Sequence, residues 1–217
     1  MPRWILSSLS LPLFGLMAWA LLELPSTPTG LTGASLAELP RSGVSNPVTA
    51  ALLNYRGYDT LLEVAVFLLA IVGVWSVRAS DFAVDRSHTV PALLSLLRLV
   101  QPVLIIAGGY LLWIGAFAPG GAFQGGAVIG GAAVLALLSG FASGVLRRTT
   151  LLRFGLALGS LVFTCVTAGL TLRTGSILGY PPGDAAFWML VIESAALISI
   201  TLTMGALYLG GRPAEKA

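Results

Sequence analysis

The sequence predicts an all-α, polytopic integral membrane protein with about six transmembrane helices. Hydrophobic residues make up 56% of the 217 positions and charged residues only 10%, and the mean hydropathy is +0.91. A soluble domain carries about 25% charged residues, so this chain has too few to cover a water-facing surface. A bilayer core of about 30 Å requires a helix of roughly 20 apolar residues. Runs that approach this length lie at 4–23, 60–77, 93–117, 123–146, 151–172 and 185–209.

The first run has features of a signal peptide. Arg3 precedes an apolar core, and the small-residue pattern Ala18-Trp19-Ala20 resembles a cleavage site. We interpret the run as a retained signal anchor. The segment 24–46 that follows is rich in Pro, Gly, Ser and Thr and is predicted to be an outer loop.

The loops that separate the remaining runs predict both the module boundary and the orientation. The most polar inner loop, 79–90, indicates a boundary between a two-span module at 1–85 and a four-span module at 86–217. With a cytoplasmic N-terminus, nine Lys and Arg residues fall on the inner side and three on the outer side, namely Arg41, Arg56 and Arg173. The positive-inside rule therefore predicts that both termini are cytoplasmic.

Composition also excludes several classes of site. The net charge of +3 is explained by Arg-rich inner loops, so it does not indicate a nucleic-acid partner. One cysteine, Cys165, provides no disulfide framework, and one histidine, His88, is a poor basis for a haem or zinc site. No nucleotide or flavin motif is present. We therefore expect no cofactor, no metal and no catalytic residue in this chain.

Four polar residues crowd the start of the second run: Asn54, Arg56, Asp59 and Glu63. Upstream, Asn46 and Pro47 predict a helix N-cap and first turn. Thr60 with Glu63 matches a capping box, in which the carboxylate would only satisfy backbone amides. The alternative is that Glu63 lies below the headgroups, where ionisable groups often mark ion pathways. In that case Arg56 and Asp59 would tune or gate the outer end.

Glu193 interrupts the last run at a depth of roughly 12 Å, since a helix rises about 1.5 Å per residue. We expect no helix-capping role there, so the carboxylate would be neutral, paired or hydrated. A structural hydrogen bond to Thr164 or Thr167 is one alternative. The other is that Glu63 and Glu193, both in the predicted outer half, share a half-channel.

A glycine-rich hairpin joins the third and fourth runs at "APGGAFQGGAVIGGAAVLA", residues 118–136. Its glycines stand four residues apart, a spacing that allows close packing of helix backbones, and its Gln124 suits an interhelical hydrogen bond or a hydrated cavity. No strand precedes it, so neither a dinucleotide fingerprint nor a phosphate loop is indicated. The predicted packing residues are Gly121, Gln124, Gly125, Gly126 and Gly130.

Two of these segments resemble a known family. "NPVTAALLNYRGYDTLLEVAVFLLAIVGVW" resembles the C-terminal end of the A subunit of Mrp-type sodium/proton antiporters and small subunits of membrane-bound hydrogenases. "APGGAFQGG" with the spans around it is similar to the antiporter B subunit, the MnhB family. The resemblance covers residues 46–78 and 97–209. The chain departs from the B-subunit pattern at Ala116 and Phe117, where the family has a histidine motif, and at Ala122, where the family has a glycine. The missing imidazole argues against a proton relay through that turn.

This resemblance implies a small subunit of a multi-subunit, complex I-like cation/proton antiporter in a bacterial or archaeal cytoplasmic membrane. Its partners would be the other subunits, the lipid bilayer, and Na⁺ or H⁺. The family places a glutamate equivalent to Glu63 on or near an ion path, and commonly an aspartate near Glu193. Two alternatives stay open: a purely structural subunit, for instance in a redox-driven relative, and an independent small transporter.

Overall fold

The computed structural model describes residues 3–24, 30–77, 91–139, 149–181 and 183–211. The described residues are helical and connecting segments without strands. The chain forms two compact units, Met1–Ser35 and Leu36–Ala217. The helices are α1 (Arg3–Leu22), α2 (Thr32–Glu38), α3 (Pro47–Ala50), α4 (Gly57–Val77), α5 (Pro91–Ile114), α6 (Ala122–Leu138), α7 (Thr149–Thr174) and α8 (Ala185–Gly211).

The first unit contains α1, a 20-residue helix with Pro12 inside it. At 1.5 Å per residue this helix is about 30 Å long, which matches the first predicted span. The positively charged Arg3 begins the helix. The interpretation as a signal anchor stays a prediction.

In the second unit, four helices are long and apolar enough to cross a membrane. They are α4, α5, α7 and α8, which confirms a polytopic all-α membrane protein. Helix α6 is shorter, with 17 residues, and ends at Leu138. Residues 140–146 of the predicted span 123–146 lie outside the described part. The count of six spans, the cytoplasmic termini and the two-module division stay predictions.

Helix α8 is the centre of this bundle. Half of the residues in its apolar stretch are buried, compared with 22% in α4 and α7 and 11% in α5. The reason is that α4, α5, α6 and α7 all pack on α8. We call the end of the bundle where α4, α6 and α8 begin the head end, and the opposite end the tail end. An apolar cluster fills the tail end: Ile71, Leu137, Leu152, Leu156, Ala206 and Leu209.

An irregular helical segment, residues 46–56, precedes α4 at the head end, and we call it the broken segment. As predicted, Asn46 caps α3: its side-chain oxygen accepts a hydrogen bond from the Val48 N–H at 3.0 Å, and Pro47 occupies the first turn. The segment then widens into one π-helical turn, Ala51–Tyr55. Such turns leave backbone groups without regular helical partners and are frequent at functional sites.

The predicted capping box at Thr60 and Glu63 is wrong. Helix α4 begins three residues earlier, at Gly57, so Thr60 lies inside the helix. Its hydroxyl donates instead to the Leu52 carbonyl of the π-helical turn, at 2.6 Å. The hydroxyl thus donates to a carbonyl, whereas a capping-box threonine accepts from a backbone amide of its own helix.

Candidate functional site

A cavity of about 220 Å³ lies at the head end of the bundle. Its walls come from the broken segment, α4, the α5–α6 turn with the start of α6, and α8. Three side chains with carboxylate or amide groups line it: Glu63 from α4, Gln124 from α6 and Glu193 from α8. The structure therefore brings to one cavity two carboxylates that lie 130 positions apart in the sequence.

Glu193 faces the N-terminus of α6. Its Oε1 atom accepts a hydrogen bond from the Ala122 N–H at 3.3 Å, so a carboxylate on one helix caps the first turn of another. The N-terminal end of a helix carries unpaired N–H groups and partial positive charge, both of which attract a carboxylate. The expectation that no capping role is available to Glu193 is therefore wrong.

The predicted threonine partners of Glu193 are wrong as well. The Thr164 hydroxyl donates to the Ser160 carbonyl of its own helix, at 2.7 Å. The Thr167 hydroxyl is buried, with no hydrogen-bond partner among the described residues. The real partner is a backbone amide of α6, 71 positions away from Glu193.

Gly121 makes room for the Glu193 carboxylate. Its backbone adopts φ +115°, a conformation that favours glycine. A Cβ atom at this position would lie 2.6 Å from Glu193 Oε1, closer than a Cβ atom comes to a non-bonded neighbour, so the carboxylate would have to shift. The glycine thus allows the carboxylate to reach the α6 N-terminus.

Glu63 occupies a more open position. Its side chain is exposed and lines both the cavity and a neighbouring groove of about 610 Å³. Asp59, one turn earlier on α4, lines the same groove and forms an ion pair with Arg56. Arg56 is largely exposed and Asp59 about half exposed, and pairs so accessible to water contribute little to stability.

Hydrogen bonds from side chains fix the broken segment in place. The Asn46 side-chain amide donates to the carbonyls of Gly115 and Ala118, each at 2.8 Å. The Thr49 hydroxyl donates to the Gly115 carbonyl at 2.6 Å. These bonds connect the broken segment to the α5–α6 turn, and the two together form adjacent walls of the cavity. We call this connected unit the frame of the head end.

Tyr180 closes this frame from the α7–α8 connection. Its hydroxyl donates to the Leu53 carbonyl of the π-helical turn at 2.8 Å. Burial raises the pKa of the Tyr180 phenol, and the negative charge of Glu193 adds to this effect, so the phenol stays a donor. The sequence gives no local signal for Thr49 or Tyr180, because their partners are backbone carbonyls of distant segments.

The predicted packing glycines lie along two faces of α6. A Cβ atom on Gly125 would lie 2.5 Å from the Gly108 carbonyl oxygen of α5. A Cβ atom on Gly126 would lie 3.0 Å from Ile200, and one on Gly130 would lie 2.6 Å from the sulfur of Met204, both on α8. Gln124, by contrast, is exposed and turns to the cavity.

The donor set of the cavity suits protons or a hydrated cation. Carboxylate and amide oxygens bind hard cations, and water in a polar cavity needs two to four polar partners. Within the described ranges, no group of three or more His, Cys, Asp or Glu residues is arranged to hold a metal ion.

Two solved structures share this fold. A chain of the membrane-bound sulfane sulfur reductase, an archaeal respiratory membrane complex, superposes with a TM-score of 0.72 at 22% identity, covering 97% of this chain and 98% of that one. A chain of the Mrp complex from Dietzia sp. DQ12-45-1b superposes with a TM-score of 0.66 at 19% identity, covering 99% of this chain and 27% of that one. No curated protein sequence matches the chain significantly.

The sequence itself matches one family. Residues 92–210 match the domain related to the MnhB subunit of the Na⁺/H⁺ antiporter, which confirms the resemblance predicted for residues 97–209. The resemblance of residues 46–78 to the A subunit stays a prediction. With four long apolar helices, the chain is a multi-pass membrane protein, and it belongs to the family of domains related to the MnhB subunit of Na⁺/H⁺ antiporters.

Proposed function

We propose that the chain is a small membrane subunit of an Mrp-type, complex I-like cation/proton antiporter, and that its head-end cavity lines an ion or proton path. Membership of the MnhB-related family supports the subunit role. The similar solved structures come from an Mrp complex and a respiratory membrane complex, so the partners are the other subunits of such an assembly. The chain itself is a transport subunit rather than an enzyme.

The shared cavity is the observation that supports an ion or proton path. Ionisable residues inside membrane spans are costly and usually face protein interior or water, and here Glu63 and Glu193 line one cavity with Gln124. Glu63 is the first candidate carrier and Glu193 the second. The Arg56–Asp59 pair lies beside Glu63 and adjusts the electrostatic potential at the outer end of the path.

The test is cation-coupled proton exchange by the assembled complex in sealed vesicles, measured with a pH-sensitive dye. Removing one charge from the path by Glu63→Gln or Glu193→Gln is expected to slow exchange by about tenfold or more, equivalent to about 1.4 kcal/mol on the barrier. The amount of assembled complex should stay close to that of the unchanged protein.

Glu38→Gln is the matched control. Glu38 pairs with the exposed Arg41 at 3.1 Å, away from the residues that line the cavity, so its loss should leave exchange unchanged. If Glu63→Gln and Glu193→Gln complexes assemble and exchange at the full rate, the cavity is not part of the path. If the variant complexes fail to assemble, the two carboxylates have a structural role, as expected for a purely structural subunit.

The redox-driven alternative is favoured by one specific comparison. The chain covers nearly all of the matched chain of the sulfane sulfur reductase complex, with a TM-score of 0.72. Purification in mild detergent, followed by mass spectrometry and an absorption spectrum, separates the two. Antiporter-like partners without a chromophore support the antiporter, whereas the same partners with iron–sulfur or flavin absorption support a redox-driven pump.

A further inference from the structure

The groove beside the cavity leaves a carboxylate on the lateral surface of a membrane-spanning helix. Glu63 lies six residues after Gly57, so roughly 9 Å into α4 at 1.5 Å per residue. The groove that exposes it is lined by Asp59, Leu62, Glu63, Val66, Phe67 and Phe123. An ionisable group at such a depth does not face lipid hydrocarbon, because that placement is costly.

Among the described residues, no cation balances the charge of Glu63. Arg56 already pairs with Asp59, and in the described part of the chain no cationic side chain reaches ion-pair distance of Glu63. A carboxylate on the lateral surface of a membrane span is stabilised by a cationic partner or by several hydrogen-bond donors. A cation that balances Glu63 would have to come from outside the described residues.

The rest of the groove has the character of a helix-docking surface. Leu62 and Val66 are 63% and 60% exposed, and the same face of α4 continues through the exposed Leu69 and Gly73. The rings of Phe67 and Phe123, with centroids 5.9 Å apart, join α4 to α6 along the groove. An apolar helix fits this surface, provided that it presents one positive charge at the level of Glu63.

We propose that the α4–α6 groove docks a membrane-spanning helix of another subunit, and that a Lys or Arg of this helix pairs with Glu63. The partner would close the open side of the cavity, and its cation would set the charge that an ion meets there. The inference rests on the proposed function only in that the chain works inside a complex. Its test uses no transport assay, so the two can fail separately.

The experiment places a photo-crosslinking amino acid at Val66 in the intact complex, in native membranes, and identifies the product by mass spectrometry. The expected product joins Val66 to a membrane span of another subunit that carries a Lys or Arg within about two helical turns of the crosslinked residue. The same probe at Phe154, an exposed position on α7, is the control for position and should not yield this product.

Three results would overturn the inference. They are adducts with lipid only, a crosslink within the chain to α1, and a crosslink to a span without a nearby basic residue. A second variant tests the charge itself: in Glu63→Lys the Val66 crosslink should fall by about tenfold because like charges repel. Replacing the identified basic residue with Glu should then restore it, and an unchanged yield in Glu63→Lys would contradict the charge pair.

Discussion

The head end and the tail end of the bundle are built differently. At the tail end, apolar side chains form a closed cluster, and the buried hydroxyls near it are satisfied by backbone, such as Ser199 with the Leu156 carbonyl at 2.5 Å. At the head end, a helix breaks and carboxylates line a cavity. The tail end is closed by its apolar cluster, whereas the head end combines an apolar cluster that includes Leu53, Phe163 and Met189 with carboxylates that line a cavity inside a membrane protein.

The largest effect is expected where the packing of α6 is broken. Gly125→Val would force side-chain atoms onto the Gly108 backbone of α5, and overpacking of this kind costs about 3 kcal/mol where a backbone cannot move away. The yield of assembled complex should fall strongly, as measured by size-exclusion chromatography of membranes solubilised in mild detergent.

Gly131→Val on the same helix is the matched control. A Cβ atom at Gly131 would meet nothing within 4 Å, so assembly should be preserved. Equal losses in both variants would mean that valine in α6, rather than contact with α5, causes the defect.

The next effect is expected in the frame of the head end. Asn46→Ala removes the helix cap and the amide donors to Gly115 and Ala118, which should lower the free energy of unfolding by about 2 kcal/mol. The measurement is thermal or denaturant unfolding of the purified protein.

Asn46→Asp separates the two roles of this side chain. It keeps the oxygen that caps α3 but loses the donors and sets a carboxylate against two carbonyl oxygens. We expect it to be at least as unstable as Asn46→Ala. Native stability in Asn46→Asp would show that only the cap matters and that the tie to the α5–α6 turn is weak.

The smallest effect is expected at Tyr180. Tyr180→Phe removes one hydrogen bond to the Leu53 carbonyl and should cost about 1 kcal/mol. Because burial raises the pKa of Tyr180 in the folded state, its contribution to stability is complete below the unfolded tyrosine pKa of about 10 and is lost as the pH rises above it. Unfolding measured from pH 7 upward checks this, with the exposed Tyr58→Phe as the control. A Tyr180→Phe protein as stable as the parent would remove this phenol from the frame.

The sequence predicted the helices of the bundle well, because apolar runs of this length have few other structures in a membrane. The predicted run 93–117 corresponds to α5 at Pro91–Ile114, and 185–209 to α8 at Ala185–Gly211. The cap at Asn46 was also predictable, since its partner lies two residues away.

The polar contacts of the site were not predictable. The partner of Glu193 is an amide 71 residues away, and the partner of Tyr180 is a carbonyl 127 residues away. Thr60 matched a local capping pattern, but its hydroxyl donates a hydrogen bond to a π-helical turn that the sequence did not predict. Local patterns fail here because the head end is held together by side chains that bond to the backbone of distant segments.

The central claim is that Glu63 and Glu193 serve one path through one cavity. A double-mutant cycle of exchange rates, with Glu63→Gln, Glu193→Gln and both together in assembled complexes, tests it most directly. If the two carboxylates act as a unit, the double variant should be about as slow as the slower single variant, because effects within one functional unit are not additive. If the two losses instead multiply as for independent sites, the carboxylates do not share a path and the claim is contradicted.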